Sequence, residues 1–239
     1  SEVNAYIKSV LNNGGTIYVL GGTAAVPESS LAGLSGYNIK RLAGNNRYGT
    51  NLEILKEAGV EGDTILIATG INYADSLSAS ATGLPMLLVK GQDSLNDDQI
   101  KFLKDNPNKK LIILGGESAV SSNFEKELRK YGEVSRIAGD NRFATSIKIA
   151  EYFFAEASTA VLAYGSDFPD GLCGGPLANQ VGAPLILTRN DKTDIARPYT
   201  KERNITDGYA LGGTSVLPDA TVRKLFGASD SVEIKEIKK

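Results

Sequence analysis

The chain repeats itself with a period near 95 residues, and this limits the fold more than any single motif, because each unit must build an equivalent module. Arg41-Leu42-Ala43-Gly44-Asn45-Asn46-Arg47-Tyr48-Gly49-Thr50 returns 95 residues later as Arg136-Ile137-Ala138-Gly139-Asp140-Asn141-Arg142-Phe143-Ala144-Thr145, with six of ten positions identical. A second block, Ile17-Tyr18-Val19-Leu20-Gly21-Gly22, returns as Ile112-Ile113-Leu114-Gly115-Gly116 and as Tyr209-Ala210-Leu211-Gly212-Gly213; the Gly-Gly pairs are 94 and 97 residues apart. A third, Tyr73-Ala74-Asp75-Ser76-Leu77, matches Phe168-Pro169-Asp170-Gly171-Leu172, and each is followed by a strand-like run starting at Pro85 or Pro184. By this order residues 41–134 and 136–228 are complete units, and 1–39 is the last part of an earlier one. The partial unit predicts about 50 to 60 further residues before Ser1. The tail, 229–239, alternates Val232, Ile234 and Ile237 with charges and reads as a linker or an edge strand.

Inside one unit the hydrophobic pattern switches between strand and helix. Val134 to Gly139 alternates and ends on glycine, the pattern of a short strand entering a turn. Thr145 then opens a helix that presents Ile147, Ile149, Ala150, Phe153 and Phe154 to a sheet. Thr159 to Gly165 is a continuous apolar run, as expected of a strand covered on both faces. A helix over 169–180 returns the chain to Pro184-Leu185-Ile186-Leu187, a weaker helix near 198–204 leads to Tyr209-Ala210-Leu211, and Pro218 starts a last helix through Leu225. About four short strands alternating with helices call for a mainly parallel sheet with right-handed crossovers. The fold class is α/β, in tandem repeats.

Composition narrows the chemistry. With 26 Lys plus Arg against 28 Asp plus Glu, the net charge of −2 provides no global field for nucleic acid, so any anion site is local. Histidine is absent and Cys173 is the single cysteine, which excludes Ser-His-Asp and Cys-His catalysis, histidine metal sites and an intrachain disulfide. A lone cysteine fits a reducing compartment and equally a surface protein that avoids thiols. No apolar run approaches the roughly 18 residues of a membrane span, and Ser1-Glu2-Val3 carries no export signal pattern.

Several residue sets are candidates for a site, each with a structural alternative. The Gly-Gly pairs follow strands and precede helices, where amides bind anions. None forms GxGxxG or GxxxxGK[ST], so tight turns are the stronger reading and no nucleotide cofactor is expected. Asp75 and Asp170 follow a strand at the carboxyl edge of a parallel sheet, a place for ligands, yet an aspartate there also caps helix amides. No cluster of further acids accompanies them, so no metal is expected. Tyr73 and Phe168 suit either stacking on a sugar ring or core packing. Arg41 with Arg47, and Arg136 with Arg142, stand six apart around a Gly-Asx-Asn turn, a fork for carboxylate or phosphate. The alternative is pairing between units, for instance Arg142 with the aspartate equivalent to Asp170. Cys173 replaces Ser78 of the other unit and reads as a small buried residue.

Together the Arg block, Phe168-Pro169-Asp170-Gly171-Leu172, Ala183-Pro184-Leu185-Ile186-Leu187 and Leu114-Gly115-Gly116-Glu117-Ser118-Ala119-Val120-Ser121 resemble the cell-wall-binding repeat type 2 family of Gram-positive bacteria, over nearly the whole chain. The resemblance implies toprim-like or Rossmann-like modules packed with pseudo-threefold symmetry, in secreted, S-layer-associated or autolytic proteins held on the cell wall. It implies a noncatalytic anchor without cofactor, whose partner is an anionic secondary wall polysaccharide and whose trimeric arrangement other repeats could complete. It places ligand contacts on Arg41, Arg47, Arg136 and Arg142 and on the runs from Pro85 and Pro184. The first full unit has ten residues from Asp75 to Pro85 where the second has fourteen from Asp170 to Pro184, and Asn45 stands for Asp140. Pro169 and Gly171 also interrupt a stretch that the family usually fills with alanines. Two other functions remain open on the sequence: a scaffold that displays another domain, such as an amidase, and a toprim-like phosphoryl-transfer enzyme using Asp75 and Asp170.

Overall fold

The computed structural model describes residues 1–235. The partial first repeat contains α1 (Glu2–Val10), β1 (Thr16–Leu20), a 3-10 turn (Glu28–Leu31) and β2 (Asn38–Leu42). The second contains α2 (Arg47–Ala58), β3 (Thr64–Thr69), α3 (Ala74–Ala79), a 3-10 turn (Ser80–Thr82), β4 (Met86–Val89), α4 (Asp97–Asp105), β5 (Lys109–Leu114), α5 (Ser122–Leu128) and β6 (Gly132–Ile137). The third contains α6 (Arg142–Phe153), β7 (Ala160–Tyr164), α7 (Pro169–Leu172), α8 (Gly174–Gln180) and β8 (Leu185–Thr188). It continues through a 3-10 turn (Asn190–Lys192), α9 (Thr193–Glu202), β9 (Gly208–Leu211) and α10 (Asp219–Phe226).

These elements fall into two compact units, Ser1–Gly62 with Asn96–Pro107, and the remainder. In the first, β1 and β2 pair in parallel from Thr16↔Asn38 to Leu20↔Leu42, and Val19, Leu42, Leu52 and Leu55 are buried. The second unit holds two parallel sheets, ordered β4-β3-β5-β6 and β8-β7-β9. Every residue of β3 is buried, as its unbroken apolar run requires of a strand covered on both faces.

The Arg block spans two structural elements. Its first half is strand: β6 pairs with β5 from Lys109↔Gly132 to Leu114↔Ile137, so Arg136 closes the sheet of the preceding repeat. Its second half is a helix entry. Asn141 accepts from the amides of Phe143 and Ala144 (3.0 and 3.1 Å), and Asn46 does the same for Tyr48 and Gly49 (both 3.0 Å). The threonines accept from the block's glycine amides, Gly139 N to Thr145 Oγ1 at 3.0 Å and Gly44 N to Thr50 Oγ1 at 3.1 Å. A Cβ on either glycine would strike the backbone of the helix's first turn. Gly, Asn and Thr are therefore identical in both copies because they build the same cap.

The second and third repeats share a core. Ala74, Leu77 and Ala81 of the second pack with Phe143, Val161, Ala163, Ala178, Leu185 and Leu187 of the third. Each such large side chain removed from water is worth about 1.5–3 kcal/mol, so this is a fused interface rather than a hinge. Small residues permit the approach, Gly171 lying on Leu77 and Gly175 on Ser80, and Asn179 Nδ2 donates to Ala81 O (3.1 Å). The opposite face of the β8-β7-β9 sheet packs α9 and α10 through Ile186, Leu162, Tyr199 and Leu225. Burial pushes the Tyr199 phenol up to about 12, and its hydroxyl donates to Phe154 O (2.8 Å).

Three expectations need correction. The helix expected over 169–180 breaks in two at Cys173, between α7 and α8, whereas α3 runs through the equivalent Ser78. The break turns Cys173 outward, so it is exposed, while Ser78 is buried and donates to Ala74 O (3.1 Å). The weaker helix begins earlier, at Thr193, and carries Pro198 inside it. The four strands expected of the third unit are present, but β6 joins the sheet of the preceding repeat; 229–235 forms no strand, Ile234 packs on the core, and Ile237 lies outside the described residues.

Candidate functional site

The two arginines of the second block turn to different partners. Arg136 Nη1 donates to Gly115 O (2.8 Å), and its Nε and Nη2 donate to Glu125 Oε2 (3.2 and 2.8 Å). Arg41 repeats this with Gly21 O (2.8 Å) and Glu28 Oε1 (2.7 Å). In both copies the guanidinium ties the Gly-Gly turn to an acid in the next helical segment. Its hydrogen bond holds the Glu125 carboxyl below the usual range, with a smaller opposing effect of burial and a further contribution from Arg129. Arg41 and Arg136 are thus committed to internal acceptors, and Arg136 and Arg142 do not share one partner.

The Gly-Gly turns and the aspartates form a second repeated unit. Gly115 (φ 91°) and Gly212 (φ 111°) lie in the region that favours glycine, and a Cβ on either would collide with the carboxylate of Asp75 or Asp170 respectively. Each aspartate therefore rests on the turn glycine of its own repeat. Neither is the expected helix cap: Asn72 Oδ1 accepts from Tyr73 N (2.8 Å) and Ala74 N (3.3 Å), and Asp167 Oδ1 accepts from Phe168 N (2.8 Å). Asp75 is half-buried, and desolvation pushes its carboxyl above the ordinary aspartate range, against the opposing field of Arg142.

That field locates the junction of the second and third repeats. Arg142, the first residue of α6, donates from Nη1 to Tyr73 Oη (2.8 Å) and to Gly165 O (3.0 Å). Its guanidinium carbon lies 5.2 Å from the Tyr73 ring centroid. Tyr73 and Phe168 pack at 5.5 Å with their rings tilted by 59°. Tyr73 is half-buried and packs against the core shared by the two repeats, whereas Phe168 is 44% exposed. Arg142 Nε and Nη2 have no hydrogen-bond acceptor among the described residues. The aspartate equivalent to Asp170 is Asp75; it is within electrostatic reach of Arg142 without forming an ion pair shorter than 4.0 Å among the described residues.

A second arginine flanks the same turn. Arg189 donates from Nη1 to Ser166 Oγ (3.2 Å) and from Nε and Nη2 to the two oxygens of Asp191, and it sits 5.7 Å from the Phe143 ring centroid. Sequence reasoning missed it, although a signal existed: Lys90 holds the corresponding place after the first Pro block and pairs with Asp93 (3.2 Å). The remaining candidates lie elsewhere. Arg47 opens α2 in the first unit and is exposed. Pro85 and Pro184 sit at the amino ends of β4 and β8, where their carbonyls accept from Leu66 N (2.9 Å) and Val161 N (3.0 Å), at the sheet edge opposite Tyr73 and Phe168. Among the described residues no three His, Cys, Asp or Glu gather as metal ligands, and no helix is long and apolar enough to cross a membrane.

The arrangement joins an anchored guanidinium with open donors, a second arginine and an exposed ring. Known proteins resemble the chain that carries it. The sequence matches the family described as Cell wall binding domain 2 (CWB2) over residues 41–125 and 136–222, most of the chain. It is 33% identical over 199 residues to the N-acetylmuramoyl-L-alanine amidase LytC of Bacillus subtilis, covering 80% of this chain and 40% of that protein. It is 28% identical to the amidase enhancer of the same organism, covering 85% of this chain and 28% of that one. Among solved structures, Cwp8 from Clostridium difficile superposes with a TM-score of 0.79 at 26% identity, over 95% of this chain and 41% of that chain. Cwp6 from the same organism, at 21% identity and a TM-score of 0.77, shares the fold. The chain thus spans less than half the length of each of these relatives. Two tandem matches in the same order as the repeats establish that it belongs to the cell wall binding domain 2 family.

Proposed function

We propose that this chain is a noncatalytic wall-binding module that retains a secreted protein at the cell surface by holding phosphates or carboxylates of an anionic wall polysaccharide at the Arg142 junction. The observation that carries this is Arg142 itself, whose Nη1 is spent on Tyr73 and Gly165 while Nε and Nη2 stay open. A guanidinium fixed on one side is pre-organised to give two parallel hydrogen bonds to an oxyanion. Phe168 offers a ring face to the adjoining sugar. Arg47 has the equivalent position at the head of α2, is exposed, and offers the polymer a second cation. Exposed ion contacts are individually weak and are screened within about 8–10 Å at ordinary salt, so retention rests on several sites along one polymer. Further repeats completing a pseudo-threefold arrangement would multiply them. In a polypeptide as long as the relatives, the module serves as the anchor for an activity carried elsewhere. Paired-acid chemistry is disfavoured because Asp75 and Asp170 each rest on a turn of their own repeat.

One observation favours a scaffold instead: the Arg142 bonds join Tyr73 of one repeat to Gly165 of the next. Cosedimentation with cell walls, before and after their anionic polymers are stripped, separates the two. The binding reading expects loss on stripping, weakening by salt, and loss in Arg142→Gln without a large change in thermal midpoint. Retained binding by a destabilised Arg142→Gln protein would establish the scaffold and overturn the anion site.

A further inference from the structure

A groove of about 390 Å³ runs between the end of β6 and the outer face of α6, lined by Arg136, Ile137, Ala138, Lys148, Glu151 and Tyr152. Its volume is within the range of about 300–1,000 Å³ in which small-molecule sites fall. Lys148, Glu151 and Tyr152 are spaced i, i+3 and i+4, so they share one helical face. Tyr152 is 60% exposed, yet its ring is not loose: Phe153 meets it edge-on, centroids 4.8 Å apart at 68°, and Phe153 itself packs on the core of the β3, β5 and β6 sheet. A held aromatic plate open to water gives contact area to a ligand at little entropic cost.

The repeat explains why the groove is open. At the preceding strand-to-helix junction, Lys40 of β2 reaches Glu57 of α2 (2.6 Å), and Tyr18 Oη donates to the same carboxylate (3.0 Å). The residues 95 positions later are Ser135 and Tyr152, which cannot form that ion pair. The tie is lost and a ring takes the place of the carboxylate.

The charges indicate what would bind. Lys148 is paired with Glu151 (2.8 Å) and Arg136 with Glu125 (2.8 Å), so both cations of the groove are already neutralised, in contrast to Arg142. A ring face beside a neutral pair of hydrogen-bonding ends suits an uncharged sugar. We propose that this groove is a subsite for a neutral pyranose ring, stacked on Tyr152 with its hydroxyls on Lys148 and Glu151. It requires neither Arg142 nor an anionic polymer.

The test is titration of the ¹⁵N-labelled full chain with two neutral trisaccharides, of N-acetylglucosamine and of glucose, followed by amide shifts. The expected result is saturable movement confined to 136–138 and 148–152 with at least one of them. Tyr152→Ala should weaken it about threefold to tenfold, the usual worth of an aromatic stack. The double variant Ser135→Lys with Tyr152→Glu rebuilds the tie of the preceding junction and should abolish it, while Arg142→Gln should leave it unchanged. No movement of those residues with either sugar, or a Tyr152→Ala titration equal to wild type, overturns the proposal. Loss of wall binding in Arg142→Gln with this titration intact would separate the two sites, and failure of only one leaves the other standing.

Discussion

Two adjacent glycines should respond in opposite ways to the same methyl group. Gly115 has φ of 91°, and its added Cβ would run into the Asp75 carboxylate and stand 3.1 Å from the Ala119 Cβ; at Gly116 an added Cβ meets nothing within 4 Å. The left-handed backbone costs an L residue about 1–2 kcal/mol, and displacing a half-buried carboxylate adds to it, so Gly115→Ala should destabilise by roughly 2–4 kcal/mol. Gly116→Ala should be neutral or stabilise by a few tenths, since it restricts the unfolded chain without a clash. Urea unfolding of both variants with unchanged m values would measure the difference. The collision has its own test: Asp75→Ala removes the obstacle, so the double variant should recover about 1 kcal/mol relative to additivity, while the backbone cost remains. Equal effects at Gly115 and Gly116, or strict additivity with Asp75→Ala, would refute the argument that turn and aspartate are one device.

Thr188, at the end of β8, is fully buried and its Oγ1 has no hydrogen-bond partner among the described residues, while Val89 holds the equivalent place in β4. Thr188→Val should therefore stabilise by about 1 kcal/mol, raising the midpoint by about 2–4 °C in calorimetry, and a fall would mean that the hydroxyl has an acceptor. For Asp75 the folded state raises the carboxyl pKa, so the native chain binds its proton more tightly than the unfolded chain does. Its contribution is favourable below the unfolded value and is lost as pH rises through the folded one, so Asp75→Asn should stabilise at neutral pH and do little in acid. Midpoints recorded across pH would show the gain growing with pH, and a constant offset would contradict the assignment.

The period, the α/β class and the parallel ladders were legible because they follow from spacing and from apolar runs such as Ile65-Leu66-Ile67, which only a covered strand tolerates. The Gly-Gly pairs were correctly readable as turns, since no phosphate motif surrounds them. What the sequence could not supply was direction. Nothing in a linear spacing of six says that Arg136 folds back onto the previous turn while Arg142 reaches forward to Tyr73 and Gly165. Cys173 was misplaced for a related reason: its match to Ser78 assumed one continuous helix, whereas the helix breaks at Cys173 itself. Arg189 was overlooked because it follows a core strand instead of lying in a repeated block.

The repeat separates the residues that build its caps and turns from positions that vary between copies. Asn141, Thr145 and Gly139 are identical to Asn46, Thr50 and Gly44, and each has a defined duty in the cap. Arg136 and Arg41 share the duty of closing the Gly-Gly turn. Two positions that differ between copies, Ser135 for Lys40 and Tyr152 for Glu57, are exposed in the later copy and belong to none of these caps or turns. A tandem fold can therefore keep its architecture while one junction carries an ion pair and the next an exposed ring. Restoring that ion pair in the open junction should leave unfolding unchanged within about 1 kcal/mol, because an exposed pair contributes little, and should change only what the groove holds.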